Sequence, residues 1–208
     1  MNYTSLKNQL QNFLENDSAE FVASIDDIII QAQHLIFQRL PNLPCFRFKA
    51  TGTTVVGTSD YLIADARLIR NVFYINNSSE TVYLNHRVDS YLRDYWPNSS
   101  LTGEPIMYST IEAGTGGTGI TLAPTPNSTY NYGVDYIRPL ADLSSSNTTN
   151  WLTNNAKNLL LSAALYESSA FLKDENTLKV YKGQFDESVQ LAAQEMNRDY
   201  ASEYDGGI

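Results

Sequence analysis

Asn147 to Glu175 reads NTTNWLTNNAKNLLLSAALYESSAFLKDE, and this stretch constrains the fold more than any other. Asn147, Thr148 and Thr149 are helix-start residues whose side chains can satisfy orphan backbone N–H groups. Leu152, Ala156, Leu159, Leu160, Ala163, Ala164, Tyr166, Ala170 and Phe171 then recur at three and four residues, the helical period. No Gly or Pro interrupts the run, so the spacing predicts one unbroken helix buried over much of its circumference. Leu160 and Phe171 are its expected core anchors. At Lys173-Asp174-Glu175 the chain turns into another helix. A helix this apolar must be surrounded by others, so it identifies a helical core and, by itself, no chemistry.

Its partners come from both ends. Residues 3–15 form a short helix with Leu6, Leu10, Phe13 and Leu14 on its apolar side. Asp17 and Glu20 make a capping-box-like pair before a second helix over residues 18–40. Phe21, Ile25, Ile28, Ile29, Ala32, Leu35 and Ile36 give that helix an inner face, with Asp26, Asp27, Gln31 and Gln33 outside it. Pro41 and Pro44 end it. The last helix is expected over residues 174–200, with Leu178, Tyr181, Phe185, Val189, Ala192 and Met196 along one seam.

From Cys45 the period changes to two. FRFKATG and TTVVGT read as strands joined at Gly52, followed by a strand over 68–76, a turn over 76–80 and a returning strand over 81–85. A short helix over 87–95 places Val88, Tyr91, Leu92 and Tyr95 on one side. Three strands then follow in meander order, over 105–111, 120–123 and 130–138. The predicted fold class is α+β. Residues 1–44 and 142–200 form a discontinuous helical bundle, residues 45–141 an inserted antiparallel β-rich module, and residues 201–208 a flexible tail.

No constellation of reactive residues stands out. Gly114-Thr115-Gly116-Gly117-Thr118-Gly119 matches G-x-G-x-x-G in letters, but a dinucleotide site needs a helix after the glycines. ITLAPTP follows instead, so the glycines read as a hairpin tip. His34 and His86 have no second His or Cys at ligand spacing, and no metal is expected. Asp26 and Asp27 diverge by about 100° on their helix. Asp94 and Glu104 could converge only through the fold. Cys45, the single cysteine, reads as a small buried hydrophobe near a strand start and excludes an internal disulfide. The net charge of −9 argues against a surface that grips nucleic-acid phosphates, though not against one that DNA passes. The polar, amphipathic first residues do not resemble a signal peptide, and no apolar run reaches the ~20 residues of a membrane span. A reducing cytosol is the expected place of synthesis. The β-region aromatics, among them Tyr74, Tyr83, Tyr91, Tyr95, Trp96, Tyr108, Tyr130, Tyr132 and Tyr136, suit sheet packing, a subunit interface or a sugar-stacking platform.

Three stretches carry a resemblance. They are the block from Asn147 to Glu175, the start YTSLKNQLQNFLENDSAEFVASIDDIIIQAQHLI, and Tyr136-Ile137-Arg138-Pro139-Leu140 with its exit into a linker. Together the layout, covering nearly the whole chain, resembles the phage head-to-tail adaptor family, also called neck or connector proteins. Lys157 departs from the acidic residue expected there, and the glycine loop is longer than usual. The resemblance implies a ring of identical subunits, roughly twelvefold, beneath the portal protein in the virion neck. It implies assembly in the host cytoplasm, contact with tail or neck proteins, and passage of genomic DNA without sequence-specific binding. It implies no enzyme activity and no cofactor. The net negative charge suits a channel along which DNA slides. In such families the C-terminal region docks against the portal. Here that points to residues 190–208, with Met196, Arg198, Tyr200 and Tyr204 as the contact. Two other readings stay open: a carbohydrate-binding or host-attachment module on a helical stalk, and a hydrolase with dispersed carboxylates in a deep pocket.

Overall fold

The computed structural model describes residues 1–113 and 117–205, with 197–205 as backbone alone. It is an α+β fold. The helices are α1 (Tyr3–Leu14), α2 (Ala19–Arg39), α3 (Asp89–Tyr95), α4 (Trp151–Asn155), α5 (Lys157–Leu172) and α6 (Glu175–Asp205). The strands are β1 (Arg47–Thr53), β2 (Asp60–Ile63), β3 (Leu68–Ile75), β4 (Thr81–Tyr83), β5 (Asn85–His86), β6 (Thr102–Gly103), β7 (Met107–Ala113), β8 (Gly117–Ala123), β9 (Thr125–Pro126) and β10 (Asn131–Ile137). The chain divides into two compact units: residues 1–46 with 139–208, and residues 47–138.

In the first unit α5 packs against α1, α2, α4 and α6. Leu159, Leu160, Ala163, Ala164 and Leu165 are buried on it. So are Ser162, Ser168 and Ser169, whose hydroxyls donate to the carbonyls of Leu159, Ala164 and Leu165 at 3.1, 2.7 and 2.9 Å. By returning their hydrogen bonds to their own helix, these serines pack as small residues. Phe171, expected as a core anchor, is 39% exposed.

The expected single helix is two. Asn150, not Asn147, caps α4: its Oδ1 accepts the Thr153 N–H at 3.2 Å, and Thr153 Oγ1 accepts the Asn150 N–H at 2.9 Å. Asn147 instead donates to the carbonyl of Asp142 at 2.8 Å, tying down the preceding linker. α4 then ends at Ala156, whose φ of −126° and ψ of 51° are not helical. Asn154 and Asn155 supply the reason. Asn side chains compete for backbone partners, and Asn155 Nδ2 takes the Trp151 carbonyl at 3.1 Å.

Ser18, not Asp17, caps α2, accepting the Phe21 N–H at 3.4 Å, while Asp17 accepts from Gln11 Nε2 at 3.1 Å. Gln33, expected outside, is buried. It donates to the Ala141 carbonyl at 3.4 Å and accepts the Leu143 N–H at 2.9 Å, which pins the linker to α2. Phe13 is exposed rather than packed. Cys45 lies in a 3₁₀ turn, Pro44–Phe46, rather than at a strand start, and burial pushes its thiol up to about 12, which keeps it protonated and inert.

Between α5 and α6, Lys173 is left-handed at φ 57°, and the Asp174 carboxylate accepts the N–H groups of Asn176 and Thr177 at 3.1 and 3.3 Å. Hydrogen bonds from Thr177 hold the Asp174 carboxyl below its usual range. Phe185 is the fully buried residue of the α6 seam, and its ring stacks on Tyr166 at 6.1 Å. The helix continues to Asp205, beyond the expected end at Tyr200 and through residues read as tail. Residues 206–208 lie outside the described ones.

The second unit holds two four-stranded sheets, ordered β1-β10-β3-β4 and β2-β8-β7-β5, and a short β6-β9 pair. Pairing is antiparallel except for β5 with β7 and β6 with β9. Val72, Tyr74, Val134 and Tyr136 of the first sheet share one core with Ile63, Tyr108, Ile120 and Leu122 of the second. The expected meander is therefore corrected: β7 and β8 form a hairpin, and β10 crosses to the other sheet between β1 and β3. The TTVVGT segment is not a strand beyond Thr53; Val55 and Val56 are exposed in a turn. β1 runs straight through Gly52, where a Cβ would meet the Tyr132 ring at 2.6–2.9 Å. β2 was not legible as a strand. His86 lies in β5 rather than at a helix start, and on α3 only Leu92 is buried, while Val88, Tyr91 and Tyr95 face solvent.

Candidate docking surface at the end of the last helix

The polar residues that could have carried chemistry are mostly occupied. Asp26 accepts from Lys7 Nζ at 2.6 Å. Glu104 accepts the Tyr74 hydroxyl at 2.7 Å, and burial, more than this carboxylate, raises the Tyr74 phenol. His34 lies 3.8 Å from Asp142, and the His86 ring sits against Tyr108. Among the described residues no group of three or more His, Cys, Asp and Glu is placed to hold a metal. A cleft of about 480 Å³ in the second unit is lined by Asp60, Asp89, Arg93 and Trp96. Asp89 pairs with Arg93 at 2.7 Å, and Asp60 accepts the Thr121 hydroxyl at 2.7 Å. Residues 114–116 of the glycine cluster lie outside the described residues. Gly117 and Gly119 belong to β8, so a strand follows the glycines where a phosphate site would need a helix. Tyr74, Tyr108, Tyr130 and Tyr136 are buried in the β core, which accounts for much of the aromatic content by packing.

The helical unit offers a different kind of surface. A two-residue turn makes α5 and α6 an antiparallel hairpin. Counting nine residues outward from the Tyr166–Phe185 stack sets the start of α5, Lys157, level with Gln194. The eleven residues of α6 from Glu195 to Asp205 therefore project past α5, by roughly 16 Å at ~1.5 Å per residue.

Because the chain breaks at Ala156, α4 turns aside and leaves a corner at the base of this projection. The corner is a groove of about 690 Å³, walled by Trp151, Ala156 and Leu159 on one side and by Leu191, Ala192 and Met196 on the other. Trp151 is 37% exposed and Leu191 59%. Met196, the first expected contact residue, is half-buried at the groove edge. Arg198, Tyr200 and Tyr204 lie on the projecting helix, and their side chains are outside the described residues. Trp151 and Leu191 were not singled out from the sequence. The Asn154-Asn155 pair was the available signal for the elbow that exposes them.

The chain is similar over residues 1–205 to the family described as SU10 adaptor protein. No curated protein matches it. A match over nearly the whole length fixes the family. The chain belongs to the SU10 adaptor family of phage proteins, a structural family of the virion.

Proposed function

We propose that the protein is a head-to-tail adaptor: a ring of identical subunits, roughly twelvefold, that docks under the portal and carries the DNA channel toward the tail. The projecting end of α6 is the observation that supports this most. It is a helix end that extends past its hairpin partner α5, and such an end can add contact area on a partner. Met196, Arg198, Tyr200 and Tyr204 form the portal contact in this reading, because Tyr offers large area at low entropy cost. Tail or neck proteins meet the opposite face. The net charge of −9 keeps DNA phosphates from adhering to the ring. The protein acts in the virion neck after assembly in the host cytoplasm, lets genomic DNA pass without sequence-specific binding, and needs neither catalysis nor a cofactor.

Truncation after Met196 tests the assignment. The bundle loses no residue of the buried seam, so the melting midpoint should stay within a few degrees of the full chain. Retention on portal rings in a pull-down should be lost. Normal loading of the truncated protein would move the docking surface elsewhere, with α1 and α2 the next candidates.

A further inference from the structure

The elbow groove matches a second surface of the same chain. Its lining is mixed, with Trp151, Leu159, Leu191 and Met196 among Asn154, Asn155 and Asn158, and the α6 stretch from Asp186 to Met196 carries three acidic residues and no basic one, Asp186 being paired with Arg39. Glu195 is in the lining, with Lys157 its one cation.

In the β unit, Leu68 opens β3 and is 56% exposed, whereas Ile69 beside it is buried. Arg67 and Arg70 flank it, both exposed and neither in an ion pair among the described residues. Ile137 of β10 is the Cα partner of both Leu68 and Arg47, which puts Arg47 in the same row across the sheet. Arg138 follows, over the Phe48 ring and paired with Asp65 at 3.2 Å. This corner thus gathers four guanidinium groups, with the Asp65 carboxylate on Arg138 and Asp135 two positions before Ile137 on β10, in a chain whose net charge is −9.

We propose that the elbow groove of one copy receives Leu68 and its flanking arginines from the next copy. An apolar side chain would fill the space between Trp151 and Leu191, and the arginines would face Glu195 at the groove edge. Charge of opposite sign on the two surfaces sets the orientation and excludes groove-to-groove pairing. Because the two surfaces differ, the contact is heterologous, and repeating it closes a ring when the rotation allows. The inference rests on the reading of the protein as a ring of identical subunits and names the surfaces that make it.

The test uses the full-length protein and two variants, Leu68→Asp and Leu191→Asp, with mass measured by light scattering across a concentration series. Both positions are exposed, so both variants should keep the wild-type circular dichroism and melting point. Wild type should assemble beyond the dimer, and about tenfold more weakly when salt rises from roughly 0.05 to 0.5 M. Each variant alone should need at least about tenfold more protein to associate. Mixed in equal amounts they should form dimers and nothing larger, because one intact groove meets one intact Leu68 and both remaining ends are blocked. If an aspartate disturbs folding, the charge pair replaces it: Arg67→Glu with Arg70→Glu should weaken association, and mixing with Glu195→Arg should restore it. A mixture that stays monomeric, a variant that assembles like wild type, or a wild-type chain that is monomeric at every concentration overturns the proposal. Retention of the same variants on portal rings is scored separately, so variants that self-associate like wild type while the truncated chain fails to bind portal sink this inference and leave the portal contact standing.

Discussion

Replacing Leu160 with alanine is expected to cost about 2–5 kcal/mol of stability in the helical unit. The side chain is 0% exposed and sits on α5, the helix that contacts α1, α2, α4 and α6. The loss has two parts, the transfer free energy of the deleted methyl groups and the cavity left behind. Helices on several sides of α5 limit how far the site can collapse, which favours the upper half of that range. Phe171→Ala serves as the contrast. Phe171 is partly exposed and meets Phe21 at 6.4 Å between ring centroids, so its removal should cost clearly less than a buried Phe would. Thermal melts of the two variants check this. Equal midpoints would mean that α5 is not the centre of the bundle.

The second large effect is expected in the β unit. Gly133 lies in β10 between β1 and β3, opposite Phe73. A Cβ there would meet the Phe73 ring at 2.2 Å, far inside contact distance. Removing glycine from a strand ordinarily gains roughly 0.5–1 kcal/mol. Here the ring would have to leave its place against Tyr83 and under Lys49, and overpacking of this kind costs about 1–3 kcal/mol, so the net is destabilising. Gly133→Ala should therefore lower the denaturation midpoint. Combining it with Phe73→Ala should cost less than the sum of the two single changes, because each relieves the other's problem. Strict additivity would place the ring elsewhere.

What the sequence made legible was periodic. The apolar positions of α2 and α5, the turn at residues 76–80 and the existence of a β region between two helical ends can all be read from spacing. What it hid depended on distant partners or on local competition. Gln33 reads as a surface residue because its partners, Ala141 and Leu143, lie more than a hundred positions away. Ser162, Ser168 and Ser169 look polar, yet their hydroxyls donate to carbonyls of their own helix and are buried. The elbow at Ala156 has no Gly or Pro to announce it, only asparagines whose amides compete with the backbone. Gly52 reads as a joint between strands because the Tyr132 ring it accommodates comes from another strand. The crossing of β10 to the other sheet is likewise invisible in a run of three alternating segments.

The docking surface was legible in the same uneven way. Met196 stands on the α6 seam and was visible by period. Trp151 and Leu191 become a surface only once α4 turns aside, and Leu68 draws notice only when Arg67 and Arg70 are seen exposed beside it.

The most direct test of the central claim is an electron cryomicroscopy map of the virion neck at side-chain resolution. The expected result is this chain as a ring directly beneath the portal, around the DNA channel, with Arg198 to Tyr204 of each copy against the portal. Finding the chain in another part of the virion, or in the neck with the end of α6 turned away from the portal, would contradict it.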